Sequence, residues 1–413
     1  MSFTALRRFG VVGWFAAALA AGESVPVPST TIDALVARAH QRHPNAAAAV
    51  AASAAAAGRV ASAGAWDNPE LEVSLGRTRP KTDDLATDHP MEVRVTQRLP
   101  WPGVRSARIA AARAGLAVAA AEAAVLRLEL AAQVRSSAIT WAVSQVAIAQ
   151  AVAAAGLAAD IRQTAERAAA AGVLDQAAVV RAKLESVMAE TQLAAARRSA
   201  ATAWDRLRLW CGADLTPDVG VASILPELPK ALGEAITLAP DDPRTAVGRA
   251  DVIAADRAID AARLSSLPIF ALGASAEREA DRDTFRVFVG LDLPLWNRNA
   301  GGLAEAKAER QRAAAQVERV ALDLRQAIQE AAGAYAAAQA EAIALHDTAL
   351  PLAEAVVGLR QSAFAAGTHS LTDVLEARRA ALATQGAYLD ARRRAAEALV
   401  ALGLARGGWE GLP

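Results

Sequence analysis

The sequence predicts a mainly α-helical chain with a small set of membrane-adapted β-strands, built twice from one strand–strand–long-helix module. Three observations carry this: the chain repeats itself about 195 residues apart, it holds only four short alternating strands, and most of the rest is alanine-rich, proline-poor helix.

The repeat is read from matched residues. Pro44 and Pro69 correspond to Pro243 and Pro268, and Pro100 to Pro294. Ala171-Gly-Val-Leu-Asp175 corresponds to Ala366-Gly-Thr-His-Ser370, and from there Val179/Val374, Ala182/Ala377 and Lys183/Arg378 align without a gap. Two copies of so long a period are a duplication, not a solenoid. The expected organisation is a leader at 1–21, a first repeat at 22–211, a linker at 212–242, a second repeat at 243–402 and an irregular tail at 403–413.

In the leader, Arg7 and Arg8 precede the apolar run Gly10–Ala21, which ends in the small residues Ala18-Leu19-Ala20. That is the pattern of a secretory signal, too short to span a bilayer as a helix. Elsewhere alanine and charge dilute every apolar stretch, so no transmembrane helix is expected in the mature chain. Thr30-x-x-Asp33 reads as a capping box that opens the first helix.

Strands are expected at about 69–76, 91–99, 268–277 and 284–293. Leu71, Val73 and Leu75 alternate with Glu70, Glu72 and Ser74; Met91, Val93 and Val95 alternate with Glu92, Arg94, Thr96 and Arg98. In the second repeat, Phe270 and Leu272 oppose Ser275 and Glu277, and Phe285, Val287, Val289, Leu291 and Leu293 oppose Arg286, Gly290 and Asp292. Period-two alternation marks strands with one apolar face. Four strands in a bilayer would leave two bare edges, each unpaired backbone group costing several kcal/mol. Small membrane barrels begin at about eight strands, so four strands from each of three copies supply a closed solution. Apolar residues would then face lipid, and Glu72, Arg94, Arg286 and Asp292 the lumen.

Aromatic residues make up only 4% of the chain, yet Trp66, Trp101 and Trp296 stand at strand ends, where a barrel carries its interfacial girdles. Pro100, Pro102 and Pro294 mark the change from strand to helix. Helix then runs without proline from about Val104 to Ala170, and a segment of the same character runs from Gly302 to Leu350 and on past Pro351 to Ala366. At 1.5 Å per residue such helices reach on the order of 100 Å. Thin apolar stripes among Ala, Arg, Glu and Gln suit a coiled-coil wall.

The turns between paired helices repeat as well. Gly172 and Gly367 end helices in a conformation open to glycine. Asp175 and Ser370 can cap the helices that follow, Ser370 with Asp373 as a capping box. Apolar Val173 and Leu174 sit between glycine and cap, and Leu371 directly follows its cap, in the manner of a surface meant for another helical hairpin.

Other function classes find little support. The 44 basic and 44 acidic residues cancel, against the basic face a nucleic-acid partner requires. His40-x-x-His43 lacks a third ligand nearby, Cys211 stands alone, and no phosphate loop, nucleophile elbow or dinucleotide fingerprint is present. No cofactor and no enzymatic activity are expected.

The duplicated plan, the Gln97-Arg-Leu-Pro-Trp-Pro-Gly103 junction and the turns AAAGVLDQAAVVRAK and FAAGTHSLTDVLEAR resemble the TolC family of outer-membrane efflux proteins, across essentially the whole mature chain. The junction and its Arg-rich helix look like the branch serving cobalt–zinc–cadmium pumps. The resemblance implies a homotrimer, with a twelve-stranded barrel in the outer membrane of a Gram-negative bacterium and a twelve-helix barrel across the periplasm. It implies docking of the tips, here Gly172 to Asp175 with Gly367, Thr368, Ser370 and Leu371, onto a periplasmic adaptor joined to an inner-membrane pump of the proton-driven RND type. It also puts acidic residues at the periplasmic constriction, which would be Asp373 and Glu376, one helical turn apart; a gate and simple capping both remain open for them. The function implied is a passive exit duct. A duct for polypeptides and an exported periplasmic coiled-coil scaffold without a pore are the alternatives.

Overall fold

The computed structural model describes residues 31–77, 89–172, 174–216, 237, 239, 241–279, 281–366 and 368–410. The leader, most of the 212–242 linker, Val173 and Gly367 lie outside the described residues. The elements in order are α1 (Ile32–Arg42), α2 (Pro44–Gly64), β1 (Glu70–Leu75), β2 (Met91–Pro100), α3 (Val104–Ala170), α4 (Gln176–Cys211), α5 (Pro243–Leu264), β3 (Ile269–Arg278), β4 (Asp283–Asp292), α6 (Ala300–Ala344), α7 (Leu350–Ala365) and α8 (Leu371–Arg406).

The strands form one antiparallel sheet in the order β1-β2-β3-β4. The two repeats meet at β2 and β3, paired from Met91 opposite Arg278 to Pro100 opposite Ile269. This register places Glu72, Arg94, Ser275 and Arg286 in one cross-strand row, and Val73, Val93, Ala276 and Phe285 in the adjacent row on the other face. Alternation in sequence thus becomes two chemically distinct faces. Among the described residues the outer edges of β1 and β4 have no strand beside them.

Helix α3 is 67 residues long without a break. Its interior contacts are largely alanine: Ala131, Ala132, Ala138 and Ala142 are buried, so neighbouring helices approach closely. The densest core gathers at mid-length, where Leu35 and Ala39 of α1 meet Leu130, Val134 and Trp141 of α3 and Leu207 and Cys211 of α4. Burial pushes the Cys211 thiol up to about 11. Between α6 and α7, Leu345–Ala349 form a π-helical turn just ahead of Pro351. Proline lacks the N–H that would bond one turn back and its ring crowds that carbonyl; the widened turn lets the helix pass it.

Three helices, α2, α3 and the α6–α7 run, contain windows apolar enough to cross a membrane by length and composition. The sequence reading, which discounted alanine, expected none. Alanine accounts for the difference: it scores as apolar while burying little surface. At 67 residues α3 is also about three times longer than the ~30 Å hydrocarbon layer requires.

The duplication is visible in the backbone. Gly103 and Asn299 open the two long helices with left-handed φ of 95° and 53°, and Gly212 and Gly407 close α4 and α8 at 104° and 96°. Each closing helix is held by an arginine from the segment that opens its repeat. Arg38 donates to the Cys211 carbonyl (2.8 Å). Arg244, paired with buried Asp242, donates to the carbonyls of Leu404 and Ala405 (2.6 and 2.8 Å). Two expected boundaries shift. Thr31, not Thr30, caps α1 through its side chain, and α8 continues to Arg406, so the irregular tail starts after the expected Gly403. Alanine and leucine propensity, together with burial of Leu402 and Ala405 against α6, carry the helix through Gly403.

Candidate functional site

Two regions at opposite ends of the helices carry the features expected of a duct. At the sheet, the apolar face is open: Leu71, Val73, Leu75, Val95, Val287 and Val289 are all exposed. A soluble protein would cover such a patch. The opposite face is charged and internally paired. Arg94 reaches Glu92 (2.9 Å) and Glu72 (3.7 Å), and Arg286 reaches Glu277 (2.7 Å). Asp292 shares that face at the end of β4, opposite Ile269. All four residues expected on the charged face therefore lie on one side of the sheet.

A fifth member was not foreseen. Phe288 lies among the charges, its ring over Gly273, with the Arg94 guanidinium 5.8 Å from the ring centre. Strict alternation along β4 would have placed it there; its apolar character argued the other way. At the strand ends, Trp101 stacks on Phe270 (5.1 Å), Trp66 carries the Arg105 guanidinium at 5.1 Å, and Trp296 is 94% exposed.

At the far end, the α3–α4 and α7–α8 turns form one packed tip. Ala165, Ala182, Leu371 and Leu375 are buried together, with Ile161, Leu174, Ala178 and Phe364 around them. Side chains tie the two hairpins: Arg181 donates to Thr372 (2.6 Å) and Arg379 pairs with Glu185. These cross-links join residues about 190 apart and had no signal in either repeat alone. Gly172 has φ of 73°, and Asp175 caps α4 by accepting from the Ala178 N–H (2.8 Å). Thr368 folds back on the Ala363 carbonyl through both its N–H and its hydroxyl. Gly172, Asp175, Thr368 and Ser370 are exposed and Leu174 is half-buried.

One expectation at the tip fails. Leu371 does not present itself to a partner; it is 8% exposed. The capping box turns the first residue of α8 inward, between α3 and α4, where the apolar side chain gains more than it would at the surface.

Asp373 closes that box. Its carboxylate accepts from the Ser370 N–H (2.9 Å) and hydroxyl (2.8 Å), while its own N–H donates to the Ser370 hydroxyl (3.3 Å). These bonds hold its carboxyl below the ordinary 3.8, with Arg360 and His369 adding to the effect. Glu376, one turn on, is exposed. Among the described residues no group of three or more His, Cys, Asp or Glu is placed to hold a metal ion.

Among the described residues the sheet thus combines open edges, an exposed apolar face and a charged reverse. The sequence matches the family described as "Outer membrane efflux protein" over residues 35–213 and 241–408, one stretch in each repeat. The chain belongs to this family. It is also similar to the cobalt-zinc-cadmium resistance protein CzcC of Cupriavidus metallidurans, at 29% identity over 331 residues, covering 78% of this chain and 77% of that protein. Among solved structures it resembles the outer membrane protein VceC of Vibrio cholerae (TM-score 0.71, 20% identity, 92% of this chain and 96% of that one). CusC, a transmembrane channel former, gives a TM-score of 0.73 at 19% identity, over 92% and 93% of the two chains. Family membership makes this an outer-membrane efflux protein of the TolC type.

Proposed function

We propose that three copies of the chain form a passive exit duct that carries substrate from an inner-membrane pump and its adaptor across the periplasm and outer membrane. The observation that carries this is the sheet: two open edges with one apolar and one charged face. Pairing β4 of one copy with β1 of the next removes every edge and gives a twelve-stranded barrel. Leu71, Val73, Val93, Val95, Val287 and Val289 then face lipid, and Glu72, Arg94, Arg286 and Asp292 line the pore. The long helices continue the wall into the periplasm, and the tips from Gly172 to Asp175 and Gly367 to Ser370 meet the adaptor. A scaffold without a pore has no use for an uncovered apolar sheet face.

The likeness to a protein named for cobalt, zinc and cadmium resistance supports heavy-metal cations as cargo, supplied by an RND-type pump. Asp373 and Glu376 would ring the periplasmic constriction, with Asp373 also serving as cap. The test is twofold. Purified protein should require detergent, have the mass of a trimer by light scattering and conduct ions in planar bilayers. Cells lacking the gene should gain sensitivity to these metals that the parent gene reverses. A monodisperse monomer without detergent would sink the proposal.

A further inference from the structure

On the charged face of the sheet two carboxylates stand side by side. Glu92 on β2 and Glu277 on β3 are direct partners in the register, and like charges so placed repel. Their row is Ser74–Glu92–Glu277–Thr284, so uncharged residues serve at both of its ends. The next row, Glu72–Arg94–Ser275–Arg286, supplies the compensation. Arg94 reaches back to Glu92 at 2.9 Å, and Arg286 to Glu277 at 2.7 Å.

Exposure shows which groups meet water. The Glu92 and Glu277 side chains are each 21% exposed, whereas Arg94 is 42% and Arg286 57% exposed. Glu72, held more loosely by Arg94 at 3.7 Å, is 58% exposed. Carboxylates therefore outnumber guanidinium groups three to two in these rows, yet the open groups are two guanidiniums and one carboxylate. Arg94 has a further neighbour in Phe288, whose ring centre lies 5.8 Å from its guanidinium.

We propose that Arg94 and Arg286 are specificity-determining residues of the duct: they occupy the carboxylates of the barrel wall, so that divalent cations pass without being retained. This rests on the facing and the trimeric barrel proposed above, in which two arginines from each of three copies surround the lumen. Rings of charged side chains set which ions a pore admits, and conduction requires binding weak enough to leave. Divalent cations are held by several oxygens at once. Glu92 and Glu277, with Cβ atoms about 5 Å apart as cross-strand partners, would offer such a set if bare. Guanidinium N–H groups already bonded to those oxygens take the place a cation would need.

The experiment is planar-bilayer recording of the purified full chain, with zinc chloride added on the extracellular side, together with the reversal potential in a potassium chloride gradient. Arg94→Gln with Arg286→Gln should lower the zinc concentration for half-block by about tenfold and shift the reversal potential toward potassium. Adding Glu92→Gln and Glu277→Gln should return both readings to near those of the parent. A role confined to sheet stability would change assembled yield and leave both readings where they were. Unchanged readings in conducting channels of the arginine variant overturn the proposal. Should that variant fail to assemble, Glu92→Gln with Glu277→Gln decides: the freed guanidinium groups should move the reversal potential toward chloride, and no movement overturns the proposal. A parent protein that forms no channel overturns the duct itself, and this reading with it.

Discussion

Phe288 rests on Gly273 across the β3–β4 ladder, on the charged face of the sheet. Any Cβ at Gly273 would overlap the ring, so the smallest residue and a large one define each other's place. Gly273→Ala should destabilise the assembled barrel by about 1–3 kcal/mol through overpacking. Adding Phe288→Ala should recover the part of that loss due to the ring, while the Val95 carbonyl oxygen, 2.7 Å from such a Cβ, keeps the rest. Thermal dissociation of the detergent-solubilised protein, run as a double-mutant cycle, reads the coupling; additive effects would show that the ring lies elsewhere.

The two sheet faces should respond differently to the same change. Val73→Arg, toward lipid, should cost roughly 2–4 kcal/mol at mid-membrane and lower the yield of assembled protein. Ser74→Arg, its neighbour on the charged face, should assemble normally. Equal damage at both positions would refute the facing of β1.

At the tip, burial separates structural residues from contact residues. Leu371→Ala should weaken the tip core by about 2–5 kcal/mol and speed proteolysis near residue 371, because the cavity falls between three helices. Leu174→Asp, at a half-buried position, should reduce export while the level of outer-membrane protein stays constant. Export unaffected by Leu174→Asp would move adaptor docking away from this turn.

Asp373 sets a pH window. Its folded pKa lies below 3.8 because Ser370 donates to it twice. A depressed carboxyl stabilises the fold above its unfolded pKa and loses that contribution as the pH falls through the folded value. Between pH 5 and 7 the carboxylate should therefore stay charged, and block of the channel by divalent cations from the tip side should persist. Asp373→Asn with Glu376→Gln should weaken the block. Asp373→Ala should damage the tip more than Asp373→Asn, since asparagine still caps. Undiminished block in the charge-free double variant would reduce both residues to structural roles.

Cys211 gives a check on the mid-length core. Buried, and with its thiol pushed up to about 11, it should resist maleimide at neutral pH in the folded protein and react after denaturation. Rapid labelling of the native protein would mean that the α1–α3–α4 cluster opens readily.

Much of this molecule is written locally. Alternation along four segments set the strands and their two faces, since side chains on a strand point alternately to opposite sides whatever surrounds it. Absence of proline set the length of α3, and Ser370 with Asp373 announced the start of α8. Repetition of the same signals about 195 residues apart set the duplicated plan. These features depend on neighbours a few residues away, so they are legible in the sequence alone.

Other features were decided only where distant segments met. Phe288 finds room on the charged face, where alternation along β4 points it, because the β3 register puts Gly273 beneath it. Leu371 is buried because α3 and α4 arrive beside α8. The Asp373 carboxyl is held below the usual carboxylate range because it accepts hydrogen bonds from Ser370. The α6–α7 run passes Pro351 by widening one turn instead of breaking. In each case side-chain packing or hydrogen bonding chose between conformations that local preference left nearly equal, and such choices exist only in the assembled fold.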